Sequence, residues 1–127
     1  MKNQNIYKIL SIREWDEAQK LGYVTTDLDK KDGFIHFSNA NQLAASLDLY
    51  FSDHEEVILL LPNMKKIASN LKYELTDSDS KRKGFFGHLY GDFMVEDIKK
   101  SWKIKRGAFK LPQSILLEAE LVQLIRN

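Results

Sequence analysis

Asp32-Gly33-Phe34-Ile35-His36-Phe37-Ser38 sets one polar, titratable ring inside a run that otherwise reads as a buried strand. A strand needs no histidine there. The run opens on Asp-Gly, a turn signal, and closes on Ser38 and Asn39, residue types that favour helix N-caps. The stretch therefore predicts a short strand that delivers His36 to the mouth of a strand-to-helix connection, where functional groups often sit. Gly87-His88-Leu89-Tyr90-Gly91 sets a second histidine in a similar context, between aromatics and glycines. The two strings together predict one site built from two distant segments.

Upstream of this stretch, Ile6 to Leu10 is a short apolar run that reads as a first strand. Ser11 and Glu14 have capping-box spacing, and Ile12, Trp15, Ala18 and Leu21 continue at helical spacing up to Gly22, a plausible left-handed C-cap. A first helix follows. Tyr23 to Lys31 holds two threonines, two aspartates and two lysines without clear periodicity, which predicts a loop.

Downstream, Asn39 and Gln42 repeat the capping-box spacing, and Leu43, Leu47, Tyr50 and Phe51 line one face of a second helix ending near Ser52. Glu55 to Leu61, stopped by Pro62, is short and apolar enough for a buried central strand. Leu71 to Leu75 reads as a strand with Leu71, Tyr73 and Leu75 on one face and Lys72 and Glu74 on the other, so Glu74 points away from the main apolar face. Tyr73, Trp15, Tyr50 and Phe51 are most simply core residues. Thr76 to Lys83 is polar throughout and predicts a surface loop, whose basic end offers a second role in touching an anionic ligand. Met94 to Ser101 has helical composition, Trp102 to Lys105 reads as a strand, and Gly107 and Pro112 mark a turn and a helix start. Residues 115–125 favour helix by composition, although Ile115, Leu117, Ala119 and Leu121 also alternate as a strand would.

Composition narrows the function classes. The chain has 127 residues, 43% of them hydrophobic, enough for one core and one domain spanning residues 1–127. Nineteen basic against 18 acidic residues leave a formal charge of +1, so net charge indicates neither nucleic acid nor membrane as a partner. The absence of cysteine excludes disulfides, thiolate-held zinc and thiol nucleophiles. No signal-peptide pattern or membrane span is visible, and a cytoplasmic protein is expected.

The strings around the two histidines resemble the domain of unknown function 952 family. The resemblance rests on Ile6-Tyr7-Lys8-Ile9, Trp15, Ala18 and Gly22, the Asp-Gly-Phe-Ile-His-Phe-Ser string, Gln42, the Tyr50-Phe51 pair, Tyr73-Glu74 and His88-Leu89-Tyr90-Gly91, all in order between Ile6 and Pro112. One departure is that Gly87 stands where the family usually has proline, which is expected to loosen a loop there. The resemblance implies an α+β fold similar to the ADP-ribosyltransferase-like fold, a curved, split, mixed or antiparallel sheet with flanking helices holding NAD in a cleft. It extends weakly to RNA 2′-phosphotransferases, of which only the Ile-His string transfers, onto Ile35 and His36. The His-Gly-Thr triplet those enzymes carry on the first strand has no equivalent in Tyr7-Lys8-Ile9.

The candidate residues have matching chemistry. An imidazole titrates near neutral pH, so His36 is suited to general acid–base work or to donating to a phosphate. Ser38 and the first N–H groups of the second helix would hold an anion, with Asp32 and Gln42 as further ligand-binding candidates. His88 and Tyr90 would add a donor and a stacking face. Glu74 resembles, by strand order, the glutamate that stabilises a ribosyl cation in many ADP-ribosyltransferases. The bland alternatives are a histidine that satisfies buried groups, a loop-pinning His88, and a solvent-side Glu74. A zinc site from His36, His88 and a carboxylate has the ligand types but no recognised spacing, and His54 sits in an exposed-looking turn. Two readings follow, an enzyme or degenerate enzyme acting on NAD or a similar phosphorylated ligand, and a non-catalytic module in which the histidines are structural.

Overall fold

The computed structural model describes residues 5–51, 53–75, 84–105, 115, 117 and 118. Strand β1 (Ile6–Ser11) runs directly into helix α1 (Ile12–Leu21). The capping box forms: Ser11 Oγ accepts from the Glu14 N–H at 3.1 Å, and Glu14 Oε1 accepts from the Ser11 N–H at 2.8 Å. Gly22 ends the helix with φ 87°, a left-handed conformation that costs glycine nothing in side-chain clash.

The segment expected to be a loop holds strand β2 (Tyr23–Val24) and helix α2 (Asp27–Asp32). Helix α2 has no apolar face for periodicity to find, and its capping box, Thr26 with Asp29, starts it instead. The Asp-Gly signal marks its end, with Gly33 at φ 82°.

The histidine stretch then joins two sheets. Strand β3 (Ile35–His36) pairs with β7 (Phe85–Leu89), the Phe37 N–H donates to the Gly87 carbonyl at 2.9 Å, and strand β4 (Ser38–Asn39) pairs with β1. A 3₁₀ turn (Ala40–Gln42) leads into α3 (Leu43–Phe51), close to the expected second helix.

Strand β5 (Glu56–Pro62) lies between β1 and β9 (Ile98–Lys105), giving the antiparallel order β4-β1-β5-β9. Its uninterrupted apolar run reflects burial on both faces. Ile58 and Leu60 join Ile6, Leu10, Val24, Ile35, Phe37, Leu89 and Phe93 in a core drawn from all three sheets, while Val57, Leu59 and Leu61 pack with Tyr7, Ile9, Leu43, Leu47, Ile104 and Ile115 on the other face. After helix α4 (Met64–Ile67) and a 3₁₀ turn (Ala68–Asn70), strand β6 (Leu71–Leu75) completes a second antiparallel sheet, β3-β7-β6. Strand β8 (Phe93–Met94) pairs with β2.

Three further expectations need correction. Met94 to Ser101 is not helical: β8 and a 3₁₀ turn (Val95–Asp97) precede β9, which begins at Ile98 because the backbone finds its partner in β5. Tyr73 is not core; it lies on the edge strand β6 and stays 45% exposed. Gly87 is in the buried middle of β7 rather than in a loop, and a Cβ there would sit 3.1 Å from Ile6 Cδ1, so the missing side chain makes room for the core. Ile115, Leu117 and Glu118 are helical, as the composition of 115–125 suggested; the remainder of that segment, the 76–83 loop and the features at Gly107 and Pro112 lie outside the described residues.

Candidate functional site

The β3–β7 pairing sets His36 directly opposite His88, and facing residues of an antiparallel pair project to the same side. Their rings lie 5.6 Å apart, centre to centre, at 70°. Phe34 packs against both, at 4.6 Å from His36 and 4.1 Å from His88, and reaches Tyr90 at 5.2 Å. The two histidine strings thus meet, as their unusual contexts suggested.

Helix α2 holds the His36 ring from both ends. Asp29 Oδ1 accepts from Nδ1 at 2.6 Å and from the His36 backbone N–H at 3.0 Å, and Asp32 Oδ2 lies 2.8 Å from Nε2. Both contacts are full hydrogen bonds to carboxylates only when the ring carries two N–H groups. Asp29 is the hub: it also accepts from Lys8 Nζ at 2.8 Å and, through Oδ2, from the Thr26 N–H at 3.0 Å, with side-chain exposures of 1% for Asp29 and 5% for Lys8. Burial alone would raise the Asp29 carboxyl, but the His36 hydrogen bond and the Lys8 charge outweigh it and hold the group down at about 2. Lys8 sits on the same face of β1 as Ile6 and Leu10, where an ammonium is tolerable because this carboxylate meets it.

Glu74 organises the second histidine. Its Oε1 accepts from the Tyr90 hydroxyl at 2.6 Å and from His88 Nδ1 at 2.9 Å. These two hydrogen bonds, Tyr90 first, lower the Glu74 pKa, and the same bond raises that of Tyr90. Lys72 Nζ stands 5.4 Å from the centre of the Tyr90 ring.

A cleft of about 410 Å³ opens beside His36. It is bordered by Lys8, His36 and Ser38 on the strands, Tyr23 of β2, Arg13, Glu14 and Glu17 on α1, Asp27 and Lys30 on α2, and Phe51 and His54 at the end of α3. His54 pairs with the adjacent Asp53 and meets the Phe51 ring edge-on.

Of the residues singled out in the sequence, His36, His88, Glu74, Tyr90 and Asp32 form one cluster. Ser38 borders the cleft, with its hydroxyl 2.9 Å from that of Ser46. Gln42 stands apart: its amide nitrogen donates to the Phe85 carbonyl and its oxygen accepts from the Asn39 N–H, both at 2.9 Å. Asp29 and Lys8 were missed. The Thr26-x-x-Asp29 spacing and a lysine inside an apolar strand were the available signals, but the pair is 21 residues apart and nothing local joins it. Among the described residues no group of three or more histidines and acids is disposed to hold a metal ion, and no helix is long and apolar enough to cross a membrane.

Residues 9–101 match the family model described as protein of unknown function (DUF952). The crystal structure of protein CC0527 from Caulobacter crescentus is similar, with a TM-score of 0.73 and 30% sequence identity over 91% of this chain and 98% of that one. The solution NMR structure of CC0527 gives a TM-score of 0.68 and 31% identity, covering 86% and 91%. No curated protein matches. The family match spans most of the chain and the similarity to CC0527 extends over nearly all of that protein: this chain belongs to the DUF952 family.

Proposed function

We propose that this protein binds a nucleotide-like, phosphorylated small molecule, of the NAD or ADP-ribose kind, in the cleft bordered by His36. The observation that carries the reading is the hold on that ring. Two carboxylates of one short helix fix both nitrogens of a histidine at a cleft wall, beside a buried lysine, although the strand could be built without either basic group. The cleft volume of about 410 Å³ falls within the usual range for small-molecule sites. Lys8, Arg13 and Lys30 in the lining offer cations to a phosphate, alongside the carboxylates of Glu14, Glu17 and Asp27, and Tyr23, which is 42% exposed, and Phe51 offer flat faces for a base or nicotinamide ring.

The packed, separate antiparallel sheets support the likeness to the ADP-ribosyltransferase-like fold, and with it a transferase related to that class or to RNA 2′-phosphotransferases. In such an enzyme His36, at the cleft wall, would act as donor or proton carrier, while His88 and Glu74, which is held as the anion by Tyr90 and His88, are not among the cleft's lining residues and would act through the histidine cluster. The first strand carries no equivalent of the His-Gly-Thr triplet, and its Lys8 is engaged by Asp29, which favours binding over that particular chemistry. A second reading, a non-catalytic module with structural histidines, draws on the fact that both nitrogens of His36 already have internal partners.

Titration with NAD, ADP-ribose and phosphorylated RNA ends, followed by amide and imidazole NMR shifts, tests the proposal. Saturable shifts at His36, Ser38, His88 or Tyr90 are expected, and silence at all four removes the nucleotide reading. Turnover that disappears in His36→Ala while the amide spectrum persists separates enzyme from module.

A further inference from the structure

We infer that Asp32 is a displaceable internal stand-in for an anionic phosphoryl oxygen of the ligand, occupying His36 Nε2 until the ligand takes its place. The inference rests on the binding reading above and adds which ligand atom meets His36 and what competes with it.

The two carboxylates on the ring are held very differently. Asp29 is buried and also receives Lys8, the Thr26 N–H and the His36 N–H. The Asp32 side chain is 35% exposed, and His36 Nε2 is its only side-chain hydrogen-bond partner among the described residues. Asp32 is also the last residue of α2, beside carbonyls that lack helical partners and repel a carboxylate. An exposed ion pair in that position is readily given up.

The ring would not follow Asp32 away. Asp29 holds Nδ1 at 2.6 Å, Phe34 packs on one side, and the strand pairing with His88 fixes the backbone. Displacement therefore leaves Nε2 of a fixed ring without its carboxylate, on a residue that lines the cleft. Lys30 also lines the cleft and offers an ammonium to an anionic ligand there.

The test follows His36 imidazole and backbone amide signals of the whole chain in wild type, Asp32→Ala and Asp32→Asn, titrated separately with inorganic phosphate and ADP-ribose. Losing the carboxylate should tighten the apparent Kd at His36 by about twofold to fivefold, the worth of an exposed ion pair. Asp32→Asn should fall between, because its amide oxygen still accepts from Nε2. Unchanged or weaker binding in Asp32→Ala, with a native amide spectrum, overturns the inference, as does absence of binding at His36 in all three proteins. A phosphate response strengthened in Asp32→Ala with no ADP-ribose response upholds the stand-in and sinks the nucleotide reading. ADP-ribose binding at His36 that ignores Asp32 does the reverse.

Discussion

Replacing Asp29 by alanine should cost far more stability than its place in a polar six-residue helix suggests. The carboxylate is buried and meets Lys8 Nζ, the backbone and ring of His36, and the Thr26 N–H. Its removal leaves the Lys8 ammonium, whose side chain is 5% exposed, without this partner. Breaking one half of a buried pair typically costs about 3–5 kcal/mol, a large share of the roughly 5–15 kcal/mol that holds a domain together. Urea unfolding followed by the fluorescence of Trp15 and Trp102 would read the loss as a midpoint lowered by about 2 M at unchanged slope. A double-mutant cycle isolates the cause. Lys8→Met removes the charge at similar length, so the double variant should be more stable than the sum of the two single losses predicts. A cost below about 1 kcal/mol for Asp29→Ala, or strict additivity with Lys8→Met, would refute the placement of a buried ion pair at this point.

Acid should weaken the fold through the same group. The Asp29 pKa falls from 3.8 to about 2 on folding, so the native state binds fewer protons than the unfolded chain between these values. Its stabilisation, about 2 kcal/mol, is fully present above the unfolded value and is lost as pH falls through the folded one; acid unfolding in Asp29→Asn should lack this component, and an unchanged acid limb contradicts the assignment. Tyr90→Phe deletes the 2.6 Å bond to Glu74, so the Glu74 carboxyl should titrate higher by carbon-detected NMR while His88 keeps part of the shift. An unmoved Glu74 would mean that the phenol does not hold it. Gly87→Ala puts a methyl 3.1 Å from Ile6 Cδ1 and 3.5 Å from both Leu71 Cδ1 and Phe37 Cβ. Overpacking of this kind costs about 1–3 kcal/mol, and a melting temperature equal to wild type would show that the core yields freely.

What could be read directly from the chain is what short-range physics controls. Ser11 with Glu14 places the start of α1, and Gly22 places its end, because capping bonds and left-handed turns involve residues only a few positions apart. The apolar run of β5 and the helical face of Leu43 and Leu47 are equally local in origin. The oddness of His36 and His88 was visible for the same reason, since each breaks an apolar pattern in its own segment. Helix α2 escaped because a short helix exposed over most of its length needs no apolar period, although its Thr26–Asp29 cap was written in the sequence.

Tertiary structure decided the remainder. A two-residue strand such as β2 has no period of its own and exists because β8 pairs with it, and Ile98–Ser101 is extended because β5 supplies its hydrogen bonds. Tyr73 looks like core on composition and is half exposed because β6 lies at a sheet edge. The site follows the same division. The residue types at His36, His88, Glu74 and Asp32 were legible one by one, but the Lys8–Asp29 pair that supports His36 joins groups on a strand and a helix far apart in the chain. Local sequence specifies caps, turns and apolar faces because their partners are neighbours, and Asp29 and Asp32 lie only seven and four residues from the His36 they hold; the Lys8 that pairs with Asp29 is brought in by long-range packing, which no short window along the chain contains.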